Sequence, residues 1–119
     1  MPVTLYGIAN CDTVKKARAW LAAEGAEVTF HDFKRDGLAP DLLAHWLRTI
    51  DWQVLLNRKG TMWRRLDDVA RASVHDAAGA SALMLAQPSL VKRPVVRWAD
   101  GSLSVGFDAA LFEQSLRRR

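Results

Sequence analysis

The chain has 119 residues, of which half are apolar and a quarter are charged, and its formal net charge is +4. This length fits a single domain, residues 1–119, with a core of its own, and the composition excludes a disordered chain. The sequence also lacks the run of about 18 apolar residues that a membrane-spanning helix needs, so no membrane partner is expected.

The opening of the chain has the pattern of a strand, a helix and a second strand. Residues 3–8 are β-branched and aromatic, which predicts a strand that ends near Gly7. From Asp12 the apolar residues recur at helical spacing, and Gly25 is placed to end that helix. Residues 27–33 again have strand character. A unit of this kind and length is typical of a parallel crossover.

The middle of the chain, about residues 38–88, is predicted to be a helical insertion. Pro40 suits the first turn of a helix, and an apolar stripe then continues to about Thr49. The segment LLNRKGTMW is too polar, and too broken by glycine, to be assigned. Residues 76–86 are predicted to be helical, and Gln87 and Pro88 end that helix.

The last part of the sequence predicts an antiparallel hairpin and a helix. After Pro94 the segment VVRW alternates in polarity, Asp100-Gly101 signals a two-residue turn, and SLSVGF returns. Asp108 is placed to cap a final helix. The apolar face of this helix is predicted to carry Leu111, Phe112 and Leu116. The order of elements predicts an α/β fold of the thioredoxin-like (glutaredoxin-like) kind: a mixed β-sheet with flanking helices and the insertion between its βαβ and ββα halves.

The chain contains one cysteine, Cys11, at the predicted start of the first helix. Free backbone N–H groups and the positive end of the helix dipole favour a thiolate at such a position. The alternative is an inert buried residue, and the negative charge of Asp12 argues slightly against a thiolate. One cysteine cannot form an intrachain disulfide, and the start of the sequence has no signal-peptide pattern. Both features predict a cytoplasmic protein.

Five segments carry a more specific signal. In order along the chain they are LYGIANCDTVKKARAWL, FHDFKRDGL, LLNRKGTMWRRL, ALMLAQPSLVKRPVV and VGF. Together they resemble the ArsC/Spx superfamily of arsenate reductase-related proteins, most closely its YffB-like branch of glutathione-dependent thiol reductases. The resemblance implies a thioredoxin-like core with a helical insertion, and a nucleophilic cysteine in the first loop, which falls on Cys11.

Cationic residues in two of these segments are candidate partners of the thiol. Arg93 stands just before a strand, where its planar fork suits a carboxylate or an oxyanion, although an ordinary surface cation is the alternative. The resemblance implies an active-site arginine directly before a proline, which matches Arg93-Pro94. It also implies that Pro94 corresponds to the cis-proline that faces the cysteine. A second active-site arginine before a glycine falls on Lys59, with Arg58 one position earlier, so either residue is a candidate unless this loop is simply solvated.

These residues predict a glutathione-dependent thiol reductase or transferase with a single nucleophilic cysteine. Glutathione would be a co-substrate and no cofactor would be tightly bound. An oxidised thiol would be the substrate, and glutaredoxin is a further candidate partner. Arg93, with Arg58 or Lys59, would bind the carboxylates of glutathione or stabilise the thiolate. The start of the helix would line the same pocket through Asn10, Asp12 and Thr13.

Two other functions stay open. A regulator like Spx would bind the RNA polymerase α subunit, but the redox switch of Spx is a Cys-x-x-Cys pair, whose second position here is Val14. A glutaredoxin-coupled arsenate reductase would need a further arginine where this chain has Gly106. We therefore expect arsenate to bind weakly.

Metal and nucleic-acid sites have little support in the sequence. The three histidines, His31, His45 and His75, share no metal-ligand spacing with one another or with Cys11. The five tryptophans mostly follow apolar stripes and are expected in the core and not as a platform for stacking bases. Three of the positive charges lie in a terminal RRR, so no direct nucleic-acid partner is expected.

Overall fold

A computed structural model describes residues 2–118. Its backbone contacts divide the chain into two compact units. The first unit combines the chain up to Asp36 with the chain from Arg93 onward, and the second unit is Gly37–Lys92. The single domain 1–119, with an insertion at about 38–88, stays a prediction.

The first unit is built on a four-stranded mixed sheet with the order β2-β1-β3-β4. Strand β1 pairs in parallel with β2 and antiparallel with β3, which pairs antiparallel with β4. The strands are β1 Val3–Gly7, β2 Val28–Asp32, β3 Val95–Arg97 and β4 Leu103–Val105. The helices of this unit are α1 Asp12–Ala23, α2 Phe33–Asp36 and α8 Ala109–Arg117. The mixed α/β architecture with flanking helices is confirmed.

Helix α1 packs on one face of the sheet through the residues that its sequence pattern predicted. Val14, Ala17 and Leu21 are fully buried in a core cluster with Leu5 and Val96. Their spacing of three and four residues places them on one helical face. This packing fixes the position of α1 on the sheet and therefore the place where its first turn begins.

Gly7 permits the close approach between the end of β1 and the first turns of α1. A Cβ atom at Gly7 would lie 2.7 Å from Cγ2 of Val14, too close for any larger residue without a shift. The glycine at the end of this strand thus sets the distance between strand and helix.

The hairpin between β3 and β4 corrects the predicted turn. The Trp98 N–H donates to the Ser102 carbonyl, so the loop has three residues and not two. Only Gly101 in this loop has a positive φ, of 88°, whereas a two-residue type I′ turn also needs one at Asp100. The Asp100 carboxylate instead accepts hydrogen bonds from the backbone and the hydroxyl of Ser102. This local bonding favours the longer turn.

Two smaller boundaries also differ from the prediction. Strand β2 ends at Asp32, whose carboxylate accepts the backbone N–H of Lys34, and Phe33 becomes the buried first residue of the short helix α2. In α8 the buried face carries Phe112 and Ser115, whereas Leu111 is 57% exposed. The predicted cap is confirmed, because the Asp108 carboxylate accepts the N–H of Leu111.

The second unit consists of short helices. They are α3 Pro40–Leu47, α4 Trp52–Leu55, α5 Thr61–Arg65, α6 Asp68–Ala72, α7 Ala77–Ala86 and a 3₁₀ turn Pro88–Leu90. Three of these helices begin at an aspartate whose carboxylate accepts an N–H of the first turn: Asp51, Asp67 and Asp76. Helix α3 ends two residues before the predicted Thr49. The segment that the sequence left unassigned holds an isolated bridge from Leu56 to Val91 and the start of α5.

Phe112 provides a test of this core. Its ring packs edge-on against Phe107, Trp98 and Trp20 at centroid distances of 4.8, 4.9 and 5.8 Å. We expect Phe112→Ala to lower the free energy of unfolding by about 3–5 kcal/mol. The neighbouring Leu111→Ala should change it by only about 0.5 kcal/mol, because that side chain is largely exposed. Denaturant unfolding of both variants measures the difference, and equal losses would contradict the described face of α8.

Candidate active site

Cys11 is the residue that caps the start of α1. Its φ of −139° and ψ of 123° are extended, and its carbonyl accepts the N–H of Lys15, the first bond along the helix. The side chain is partly exposed. It does not form the close capping hydrogen bond that the aspartate caps of this protein make. The sulfur therefore lies beside the free N–H groups of the first turn while part of it faces solvent.

The surroundings of the sulfur favour its ionised form. Burial alone raises the pKa of Cys11 and is the largest single influence. The backbone N–H of Val14, the hydrogen bond and charge of Arg93, and the backbone N–H of Thr13 all act in the opposite direction. Together they hold the pKa of Cys11 below its ordinary value of 9.0.

The topology of the sheet explains why Arg93 reaches Cys11. Strand β3 runs antiparallel to β1, with Val95 opposite Tyr6, so the end of β1 and the start of β3 lie at the same edge. The loop to α1 leaves from this edge, and Arg93 and Pro94 enter at it. The Arg93-Pro94 peptide bond is cis, and Pro94 is buried while Arg93 is partly exposed.

The predicted site residues fall into two groups. Asn10, Asp12 and Thr13 are exposed and flank Cys11 in the first unit, which also contains Arg93 and Pro94. Arg58 and Lys59 belong to the second unit, in the loop between α4 and α5. Both are exposed, and their part in the site stays a prediction.

Within the second unit the two candidate cations differ in their surroundings. The guanidinium carbon of Arg58 lies 5.7 Å from the centre of the Trp52 ring, within the range of a cation–π contact. The backbone N–H of Lys59 donates to the side-chain oxygen of Asn57.

Sequence reasoning missed one backbone link at the site. The N–H of Gly106, just after β4, donates to the carbonyl oxygen of Pro94 at 2.8 Å. Gly106 has a φ of 86°, in the left-handed region that favours glycine. A glycine directly after a predicted strand could have indicated an unusual backbone conformation at this position. The sequence does not reveal which carbonyl accepts its N–H.

The described residues also bear on metal sites and on membrane-spanning helices. Among residues 2–118, no three His, Cys, Asp or Glu side chains gather as a metal ion would require. In the same part of the chain, every helix is too short or too polar to cross a membrane.

Comparisons with known proteins agree with the fold and show the family. The sequence model of the ArsC family matches residues 6–115. The solved structure of a YffB protein superposes with a TM-score of 0.90 at 44% identity, covering 96% of this chain and 98% of that one. An arsenate reductase (ArsC) related protein from Brucella melitensis is 52% identical, with a TM-score of 0.76 and coverage of 99% of this chain and 97% of its own. The global transcriptional regulator Spx of Streptococcus pyogenes is 28% identical over 79% of this chain and 70% of its own.

The contribution of Arg93 can be measured directly. Arg93→Ala removes a hydrogen bond and a positive charge that both lower the pKa of Cys11, so the pKa should rise. The rate of alkylation by iodoacetamide at pH 7 should then fall at least about threefold. Arg97→Ala is the matched control, because this arginine ends β3, the strand that follows Arg93, and its charge acts to lower the pKa of Tyr6. The alkylation rates of both variants are measured across pH 5 to 10. If the two variants change the rate equally, Arg93 has no specific role at Cys11.

Proposed function

The chain belongs to the ArsC family, and we propose that this protein is a glutathione-dependent thiol reductase or transferase in which Cys11 is the nucleophile. The observation that carries the proposal is a partly exposed sulfur whose pKa is lowered by the first turn of α1 and by Arg93. A lowered pKa increases the fraction of the thiol that is ionised, and a thiolate open to solvent is the nucleophile of thiol–disulfide exchange.

The proposed reaction has two exchange steps. The oxidised thiol substrate is a disulfide. The Cys11 thiolate attacks one of its two sulfurs, the S–S bond of the substrate breaks, and the other sulfur leaves as a thiolate. Cys11 and the attacked sulfur now form a mixed disulfide. A glutathione thiolate then attacks the substrate-derived sulfur and releases Cys11 as a thiolate again. When the substrate is a glutathione mixed disulfide, the products are the free substrate thiol and oxidised glutathione. The sequence has no second cysteine, so the resolving thiol must come from outside.

The cationic residues would bind the acidic co-substrate. Glutathione carries two carboxylates, and the fork of Arg93 can bind one of them with two hydrogen bonds. Arg58 or Lys59 would supply a second cation, and the contact of the Arg58 guanidinium with the Trp52 ring leaves its N–H donors able to bind a carboxylate. Asn10, Asp12 and Thr13 would line the pocket beside Arg93, with the N–H groups of the first turn facing the bound sulfur.

The proposal also specifies a cellular location, and it requires no tightly bound cofactor. A cytoplasmic location belongs to it, because glutathione keeps thiols reduced there. Glutaredoxin would serve as an alternative acceptor of the glutathionyl group. Arsenate is a poorer candidate substrate. The resemblance implies that arsenate reductases of the superfamily have an arginine at the position of Gly106, and glycine provides no guanidinium.

The proposed chemistry is tested by mass spectrometry of the intact protein. After incubation with oxidised glutathione, we expect one glutathionyl group on Cys11, removed again by excess reduced glutathione. Cys11→Ser should take up none, and Arg93→Ala should react at least about threefold more slowly at pH 7, because less of its thiol is ionised. If the wild-type protein forms no adduct under these conditions, the proposal is wrong.

The similarity to Spx supports a second candidate, a regulator that binds the RNA polymerase α subunit. This alternative needs no second cysteine for binding, although Val14 rules out an intramolecular disulfide switch. The two functions make opposite predictions for immobilised α C-terminal domain. If the reductase proposal is right, the reduced protein should not be retained at micromolar concentration. Specific retention by this domain, lost on competition with the free domain, would favour the regulator.

A further inference from the structure

Gly106 joins the strand after the hairpin to the loop that carries Arg93. Strands β3 and β4 pair with Val95 opposite Val105, and the bond from the Gly106 N–H to the Pro94 carbonyl continues this pairing by one residue. The backbone of Gly106 is therefore one support of the chain segment that carries Arg93, and it is the one bonded to Pro94, the residue next to Arg93.

The conformation of Gly106 sets the direction of this N–H. Its φ of 86° is readily adopted only by glycine, and by asparagine to a lesser extent. A β-branched residue at this position would be strained at a positive φ, and rotation of the peptide between Val105 and residue 106 would relieve that strain. The same rotation turns the N–H away from Pro94 and leaves that carbonyl without this donor.

We propose that Gly106 is a positioning residue: it holds the Pro94 carbonyl and thereby keeps the Arg93 guanidinium beside the Cys11 sulfur. This inference rests on the proposed function, because it concerns the same thiolate. Gly106 would act through Pro94 and Arg93. The lowered pKa of Cys11, to which Arg93 contributes by both a hydrogen bond and its charge, is consistent with that arrangement.

Gly101 offers a matched control in the same hairpin. Its φ is 88°, its N–H donates to the Trp98 carbonyl, and a Cβ atom there would meet nothing within 4 Å. A valine at Gly101 therefore introduces nearly the same backbone strain as a valine at Gly106, but in the turn and not beside Pro94. Loss of stability alone would affect both variants alike.

The experiment measures iodoacetamide alkylation of Cys11 across pH 5 to 10 in Gly106→Val, Gly106→Asn and Gly101→Val. We expect Gly106→Val to react at least about threefold more slowly at pH 7, with its profile moved to higher pH. Gly101→Val and Gly106→Asn should stay within about twofold of the wild type. If Gly106→Val does not fold, the milder Gly106→Ala replaces it. A rate for the Gly106 variant equal to that of Gly101→Val would overturn the inference.

A double variant separates positioning from a general effect on the fold. If Gly106 acts through Arg93, adding Gly106→Val to Arg93→Ala should change the rate by less than about 1.5-fold. A further loss as large as in the wild-type background would contradict the inference. The outcome is independent of glutathione chemistry: if the wild type forms no glutathione adduct but the profile still moves, the reductase proposal fails and the positioning role stands.

Discussion

A partly buried sulfur can stay ionised only when the groups around it replace the water that it has lost. At Cys11 burial is the strongest single influence on the pKa and favours the neutral thiol. The pKa is nevertheless lowered, because two backbone N–H groups and one guanidinium act on the sulfur together. No single one of these contributions exceeds the cost of burial. The site therefore depends on several elements of the first unit holding their places at once.

Each of those elements is fixed by packing away from the sulfur. The N–H groups of Thr13 and Val14 are placed by α1, which Ala17 and Leu21 anchor to the sheet. The guanidinium is placed by β3, whose antiparallel pairing with β1 returns the chain to the edge where Cys11 lies. The sheet brings together parts of the chain that are far apart in sequence, and the electrostatics of the thiol result from that topology.

The local parts of this arrangement could be predicted from the sequence. Strand β1, helix α1 and the cap at Asp108 follow from apolar spacing and from a side chain that bonds to backbone three residues away. The unassigned stretch around Asn57 could not be resolved, because helices of four and five residues are too short for a periodic pattern. The prediction for Leu111 was a misreading of the helical pattern: Leu111 lies about 100° around the helix from Phe112, away from the face that Phe112 shares with Leu116.

The long-range parts of the site could not be derived from spacing. Nothing in the sequence pattern places Arg93 beside Cys11 or the N–H of Gly106 on the Pro94 carbonyl, since both depend on strand order and register. The resemblance to the ArsC family indicated Arg93, because the family motif has an active-site arginine directly before a proline. It included Gly106 in the segment VGF, but it did not indicate the hydrogen bond from Gly106 to Pro94, because backbone atoms that almost every residue possesses make that bond. What selects glycine there is the positive φ, which is visible only in the structure.

The same electrostatics also determines which state of the thiol is favoured. A mixed disulfide at Cys11 has no charge on sulfur, so the N–H groups and Arg93 lose the anion that they stabilise. The free thiolate is stabilised relative to the disulfide, which makes Cys11 a good leaving group and its mixed disulfide easy to reduce. Under the proposed function, such a site would pass the oxidised sulfur on to an external thiol and would not store it. That property suits a protein with one cysteine, which has no second thiol of its own to release the adduct.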